Sequence, residues 1–81
     1  MNLFILSKHQ SLEENVLFTS KKLYELLESK THVDMLFTNY ANKEGLNLSL
    51  NLERILYLSL TFLFYLGQIT INNNMVARLA K

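Results

Sequence analysis

Residues 49–71 read Ser49-Leu-Asn-Leu-Glu-Arg-Ile-Leu-Tyr-Leu-Ser-Leu-Thr-Phe-Leu-Phe-Tyr-Leu-Gly-Gln-Ile-Thr-Ile71, and how this stretch folds decides the architecture. Apolar side chains dominate from Leu50 to Leu66, so the segment is either a membrane span or a helix enclosed on most sides. The uncharged run from Ile55 to Leu66 is bounded by Glu53 and Arg54 before it and by Gly67 and Gln68 after it. Crossing the hydrocarbon of a bilayer takes about 20 apolar residues, so a water-soluble helix is expected. Ser49 with Glu53 nearby opens it, Asn47 being the alternative start, and Gly67 supplies the stop because glycine tolerates a left-handed backbone.

Beyond Gly67 the hydrophobic period changes. Gln68-Ile-Thr-Ile71 alternates with period two, Asn72, Asn73 and Asn74 are residues that accept positive φ, and Met75 to Leu79 is a second short run. A β-hairpin is the expected result. Before the greasy helix, Val33, Leu36, Phe37 and Tyr40 fall at i, i+3, i+4 and i+7, and predict a shorter helix. Thr31 with Asp34 is its capping signal, and it should stop between Asn42 and Gly45. Earlier still, Ser11 and Glu14 form an S-x-x-E capping box. Leu12, Val16, Leu23 and Leu27 then mark the apolar side of an amphipathic helix to about Ser29, with Glu13, Lys21, Lys22, Glu25 and Glu28 on the other side. Leu3, Phe4, Ile5 and Leu6 make a candidate edge strand at the start. The fold class read from this order is mainly α with a small β-hairpin: winged helix-turn-helix-like, three helices and a C-terminal wing, with a short N-terminal strand as an optional addition. Without proline, repeat or linker, residues 1–81 are expected to form one small domain.

Composition narrows the function. Apolar residues are 49% of the 81 and charged residues 19%, against a usual charged share of about 25%. That is more apolar surface than a core this small hides, and the surplus points to a covered surface. The net charge is +1 and the basic residues are dispersed, which argues against non-specific nucleic-acid binding. With no cysteine there is neither a disulfide framework nor a thiolate metal site, in keeping with a cytoplasmic location. No basic segment precedes the apolar run Met1–Leu6 and no cleavage-type sequence follows it, so no signal peptide is expected.

Chemistry is sparse. Gly45 and Gly67 are the two glycines, and neither belongs to a Walker-type phosphate loop. His9 and His32 lack a spacing that would hold a metal. The acidic residues read as solvated helix positions, and Ser11 and Ser49 read as caps rather than nucleophiles. No catalytic, cofactor-binding or metal-binding residue is assigned, and the chain is read as a non-enzyme. A winged helix suggests DNA binding, with Lys21, Lys22, Arg54, Arg78 and Lys81 as the available cations. Yet its recognition helix, Leu50 to Leu66, offers Arg54 as its one cation among leucines and aromatic rings, a composition suited to protein contact. Leu3, Phe4, Ile5, Leu6, Arg54, Tyr57, Phe62, Phe64 and Tyr65 are the candidate partner-interface residues. A homo-oligomeric, antitoxin-like protein is a third reading.

Several segments also carry a family resemblance. Ser7-Lys-His9 stands shortly before the helix opening Ser11-Leu-Glu-Glu-Asn15. Asn51 to Ile71 combines a hydrophobic helix, a Leu-Gly stop and a strand, and an Asn-rich turn with Arg78 ends the chain. In these features the sequence resembles the small middle components of the ABC-three-component systems, prokaryotic antiphage modules related to Lamassu. The resemblance implies a coiled-coil ABC ATPase of the SMC type and an effector, often a nuclease, as partners from the same operon. It implies an accessory subunit that holds these together or restrains the effector until phage DNA is sensed, with DNA met only through the complex.

Overall fold

The structure is a computed structural model and describes residues 12–79. The expected strand Leu3–Leu6, the capping residue Ser11, His9 and Lys81 lie outside the described residues. Helix α1 spans Leu12–Leu26, followed by a two-residue strand β1, Thr31–His32, and helix α2, Val33–Glu44. Helix α3 spans Leu50–Tyr65, and strands β2, Ile69–Asn72, and β3, Met75–Arg78, complete the order. The three strands form an antiparallel sheet in the order β1-β3-β2. Among the described residues, three helices and a small C-terminal sheet make the fold mainly α with a β-hairpin, compatible with a winged helix.

Local sequence accounts for most boundaries. Ser49 caps α3: its Oγ accepts a hydrogen bond from the Leu52 N–H at 3.2 Å, satisfying one of the four free donors of a helix start. At the other end Gly67 takes φ 73°, its N–H donates to the Phe64 carbonyl, and the Gln68 N–H donates to the Leu63 carbonyl, each at 3.0 Å. That pair of bonds is a Schellman motif. Gly45, at φ 68°, closes α2 in the same way, with bonds from its own N–H to Asn42 and from Leu46 to Ala41. Asn73 and Asn74 both have positive φ, 54° and 62°, which is the backbone of a two-residue type I′ turn and matches the twist of the hairpin strands.

Two expectations change. Thr31 does not cap α2: it lies in β1 opposite Val76, and His32 holds the cap position without a side-chain hydrogen bond. The first N–H of α2 goes to the hairpin turn instead, where Val33 donates to the Asn74 carbonyl at 2.9 Å. Helix α1 ends at Leu26 rather than near Ser29, because the chain must turn out of the helix to reach β1.

The core joins all three helices to the sheet. Leu23 and Leu27 meet Val33, Leu36, Phe37 and Tyr40 of α2, Leu56, Leu60 and Leu63 of α3, and Ile69 and Val76 of the hairpin. Where α1 crosses α3, small side chains replace large ones. Ser20 and Ser59 are both buried; Ser20 Oγ donates to the Ser59 carbonyl at 3.3 Å, and Ser59 Oγ donates to the Ile55 carbonyl at 2.8 Å. Both hydroxyls are therefore satisfied within the protein, which removes the cost of burying them.

Candidate protein-interaction surface

Helix α3 buries Leu56, Ser59, Leu60 and Leu63 and leaves the other side uncovered. Leu50, Asn51, Arg54, Tyr57, Leu58, Thr61, Phe64 and Tyr65 are all exposed, and at 3.6 residues per turn they share an arc of about 140°. Five of the eight are large apolar residues, and their exposure is substantial: Tyr65 81%, Leu50 74%, Tyr57 53%, Phe64 48% and Leu58 40%. A shallow concavity in this arc is lined by Leu50, Glu53, Arg54, Tyr57, Leu58 and Thr61. The Tyr57 ring is held edge-on against buried Phe37, centroids 4.9 Å apart and planes at 80°, so part of its rotamer freedom is already lost. Phe64 and Tyr65 contact each other edge to face at 6.0 Å.

Among the candidate residues the structure therefore brings Arg54, Tyr57, Phe64 and Tyr65 onto one face. Phe62 stands apart: it is half-buried and lines a groove with Leu17, Tyr24, Gln68 and Arg78 between α1 and the base of the wing. Leu3, Phe4, Ile5 and Leu6 lie outside the described residues. Sequence reasoning passed over Leu50 and Leu58, which had counted simply as part of an apolar helix.

The cations are not equally free. Arg78 donates to the Tyr24 carbonyl at 2.7 Å and lies over the Tyr24 ring, 4.3 Å from its centroid. It therefore closes the carboxyl end of α1, where a cation meets the negative pole of the helix. Lys22 pairs with Glu44 at 2.9 Å and sits 4.7 Å above the Phe18 ring. Its hydrogen bond to Glu44 is the main reason its pKa is raised above the ordinary lysine value, partly opposed by burial. Arg54 takes part in no ion pair among the described residues. No group of three or more His, Cys, Asp or Glu that could hold a metal is found among the described residues, and no helix there is long and apolar enough to cross a membrane.

Fold and surface together define a small winged-helix-like chain whose third helix turns an aromatic and aliphatic arc outward. The chain belongs to the family described as ABC-three component (ABC-3C) system Middle Component 6, which matches residues 5–80. The resemblance expected from Ser7–Asn15 and Asn51–Ile71 thus holds at the level of the middle-component family. The chain is 55% identical over 78 residues to "Uncharacterized protein YydC" of Bacillus subtilis (strain 168), covering 96% of this chain and 59% of that protein. It spans about three-fifths of the length of that relative. No solved structure matches.

Proposed function

We propose that the chain is a non-catalytic adaptor of a cytoplasmic antiphage complex, joining a coiled-coil SMC-like ABC ATPase to an effector such as a nuclease, in a Lamassu-like system. It positions or restrains the effector, assembles as a hetero-oligomer, and meets DNA only through the complex. Membership of a middle-component family supports a role between other components. The observation that carries the reading is the uncovered arc of α3, because apolar surface gathered on one element is uncommon on a monomer that binds nothing. Leu3, Phe4, Ile5, Leu6, Arg54, Tyr57, Phe62, Phe64 and Tyr65 are the proposed contact residues.

Co-expression with the other two components, followed by affinity purification and light scattering, tests it. A stable complex of defined stoichiometry is expected; a chain that remains apart from both companions refutes the adaptor role.

A winged-helix DNA-binding regulator is the competing reading, favoured by the order of the elements. It fares worse on chemistry. Base and phosphate contacts need accessible Arg and Lys, whereas Arg78 and Lys22 are engaged within the protein. A gel shift with duplex DNA at low salt separates the two: binding that weakens as salt rises and depends on Arg54 supports the regulator.

A further inference from the structure

Between α1 and the base of the wing runs a groove of about 530 Å³ with an apolar floor of Leu17, Tyr24, Phe62 and Leu63. Its rim is polar, with Lys21 and Glu25 on α1 and Gln68 and Arg78 at the wing. Leu17 is 53% exposed, and Tyr24 and Phe62 are half-buried, so the helices meet here without covering their own apolar surface. The chain carries a segment suited to the place. The apolar run Leu3–Leu6, outside the described residues, is joined to Leu12 by the polar residues Ser7-Lys-His-Gln-Ser11, a tether of about 20 Å when extended. Leu12 opens α1; Leu17 lies about 8 Å further along the helix and Tyr24 about 18 Å. A chain that reverses direction at the opening of α1 therefore brings Leu6 level with Leu17. Four extended residues then cover about 13 Å, enough to carry Leu3 past Tyr24, since Leu17 and Tyr24 are about 10 Å apart along the axis.

We propose that Leu3–Leu6 docks in this groove, extended and antiparallel to α1, as an integral cover of the fold. The chemistry matches: four successive apolar side chains leave water for an apolar floor, and none of them brings a charge to be desolvated. A tethered segment gives up only loop closure, a term that grows slowly with length, whereas a separate molecule also gives up translational and rotational freedom. The family match, residues 5–80, takes Ile5 and Leu6 into the same unit as the groove. Alternate side chains of an extended segment face opposite sides. Either Leu3 and Ile5 or Phe4 and Leu6 therefore enter the groove, and the other two face outward, open to a companion component. The inference does not depend on the adaptor reading, because the groove is closed from within the chain.

The full chain has no cysteine, which permits a direct test by cross-linking. Ile5→Cys and, separately, Leu6→Cys are each combined with Leu17→Cys, or in a control with Leu50→Cys, a more exposed site on α3. Mild oxidation is followed by mass spectrometry without reductant. For the inward residue, an intramolecular bridge to Leu17→Cys is expected about tenfold or more faster than to Leu50→Cys, because docking concentrates the segment at the groove. Melts of two double variants, Leu3→Asp with Ile5→Asp and Phe4→Asp with Leu6→Asp, give a second reading. The inward pair should lower Tm by about 5–15 °C, at any protein concentration, and the outward pair by less than about 2 °C. Leu17→Asp should lower Tm as well, without adding fully to the inward pair. Bridging at equal rates to the two sites, with both double variants melting like the wild type, overturns the proposal. Bridges found only between two chains, with a Tm that rises with concentration, overturn it in favour of a second copy. Unchanged melts, together with loss of binding to a purified companion component on Leu17→Asp, overturn it in favour of that companion.

Discussion

Replacing Arg78 by Ala is the most direct probe of how the wing is fixed to the helices. The guanidinium makes one short bond to the Tyr24 carbonyl, 2.7 Å, a longer one of 3.4 Å to the Glu25 carbonyl, and a stacking contact at 4.3 Å with the Tyr24 ring. A hydrogen bond to a charged donor contributes about 1.5–3 kcal/mol when buried; at this exposed site we take about 0.5–1 kcal/mol, since water competes for the same groups. The cation–π contact at an exposed position adds about 0.5–1 kcal/mol. The interaction with the helix dipole is the same contact seen another way and is not added again. Arg78→Ala should therefore destabilise by about 1–2 kcal/mol, and in a domain of this size each kcal/mol moves Tm by about 4–8 °C. The assay is calorimetry or circular dichroism at neutral pH, with Tyr24→Leu and the double variant completing a cycle. A coupling of about 0.5–1 kcal/mol between the two positions is expected. A Tm for Arg78→Ala within about 2 °C of the wild type would refute the latch and return Arg78 to the set of free cations.

Other outcomes follow from individual residues. Leu56 has no exposed surface, so Leu56→Ala should cost about 2–5 kcal/mol in chemical denaturation, a large share of the stability of so small a chain. Gly67→Ala meets no neighbouring atom, yet its φ of 73° makes the alanine cost about 1–2 kcal/mol, read as a lower denaturation midpoint with an unchanged slope. Asn74→Gly should stabilise by up to about 1 kcal/mol in the same assay, since Asn-Gly is a favoured type I′ pair and Asn74 already has φ 62°. The pKa of Lys22 is raised by Glu44 in the folded state. Its contribution is fully present below the unfolded lysine pKa of about 10.4, and is lost as pH rises through the higher folded value. Stability of Lys22→Gln should accordingly approach that of the wild type above that range and fall below it at neutral pH, as measured by melts from pH 7 to 11.5.

What could be read from the sequence was local. The glycine stops at Gly45 and Gly67, the Ser49 cap and the asparagine turn each depend on a few neighbouring residues, and each takes the expected conformation. The i, i+3, i+4, i+7 pattern of Val33, Leu36, Phe37 and Tyr40 named the buried face of α2 because polar residues fill most of its other positions, Met35 and Ala41 excepted. In α3 that contrast is missing. Leucines and aromatic rings surround the helix, so periodicity could state only that some face is uncovered, not that Leu50 and Leu58 lie on it and Leu60 and Leu63 do not. β1 was illegible for another reason: Thr31 and His32 are only two residues, and they become a strand through pairing with Val76 and Met75 far along the chain. The same distance hid the partners of Arg78 and Lys22, which sequence reading had left among the free cations.

These non-local contacts bear on how one fold serves different partners. A winged helix that reads DNA needs cations on its third helix and wing. Here the wing arginine, though exposed, is bonded to the end of α1, and the α1 lysine is paired with α2, so both contribute to holding the elements together. The exposed arc of α3 itself carries one guanidinium among five large apolar residues. On such a face a phosphate backbone would find a single counter-charge and another protein would find several apolar anchors, so the chemistry of the surface, rather than the order of the elements, favours a protein partner.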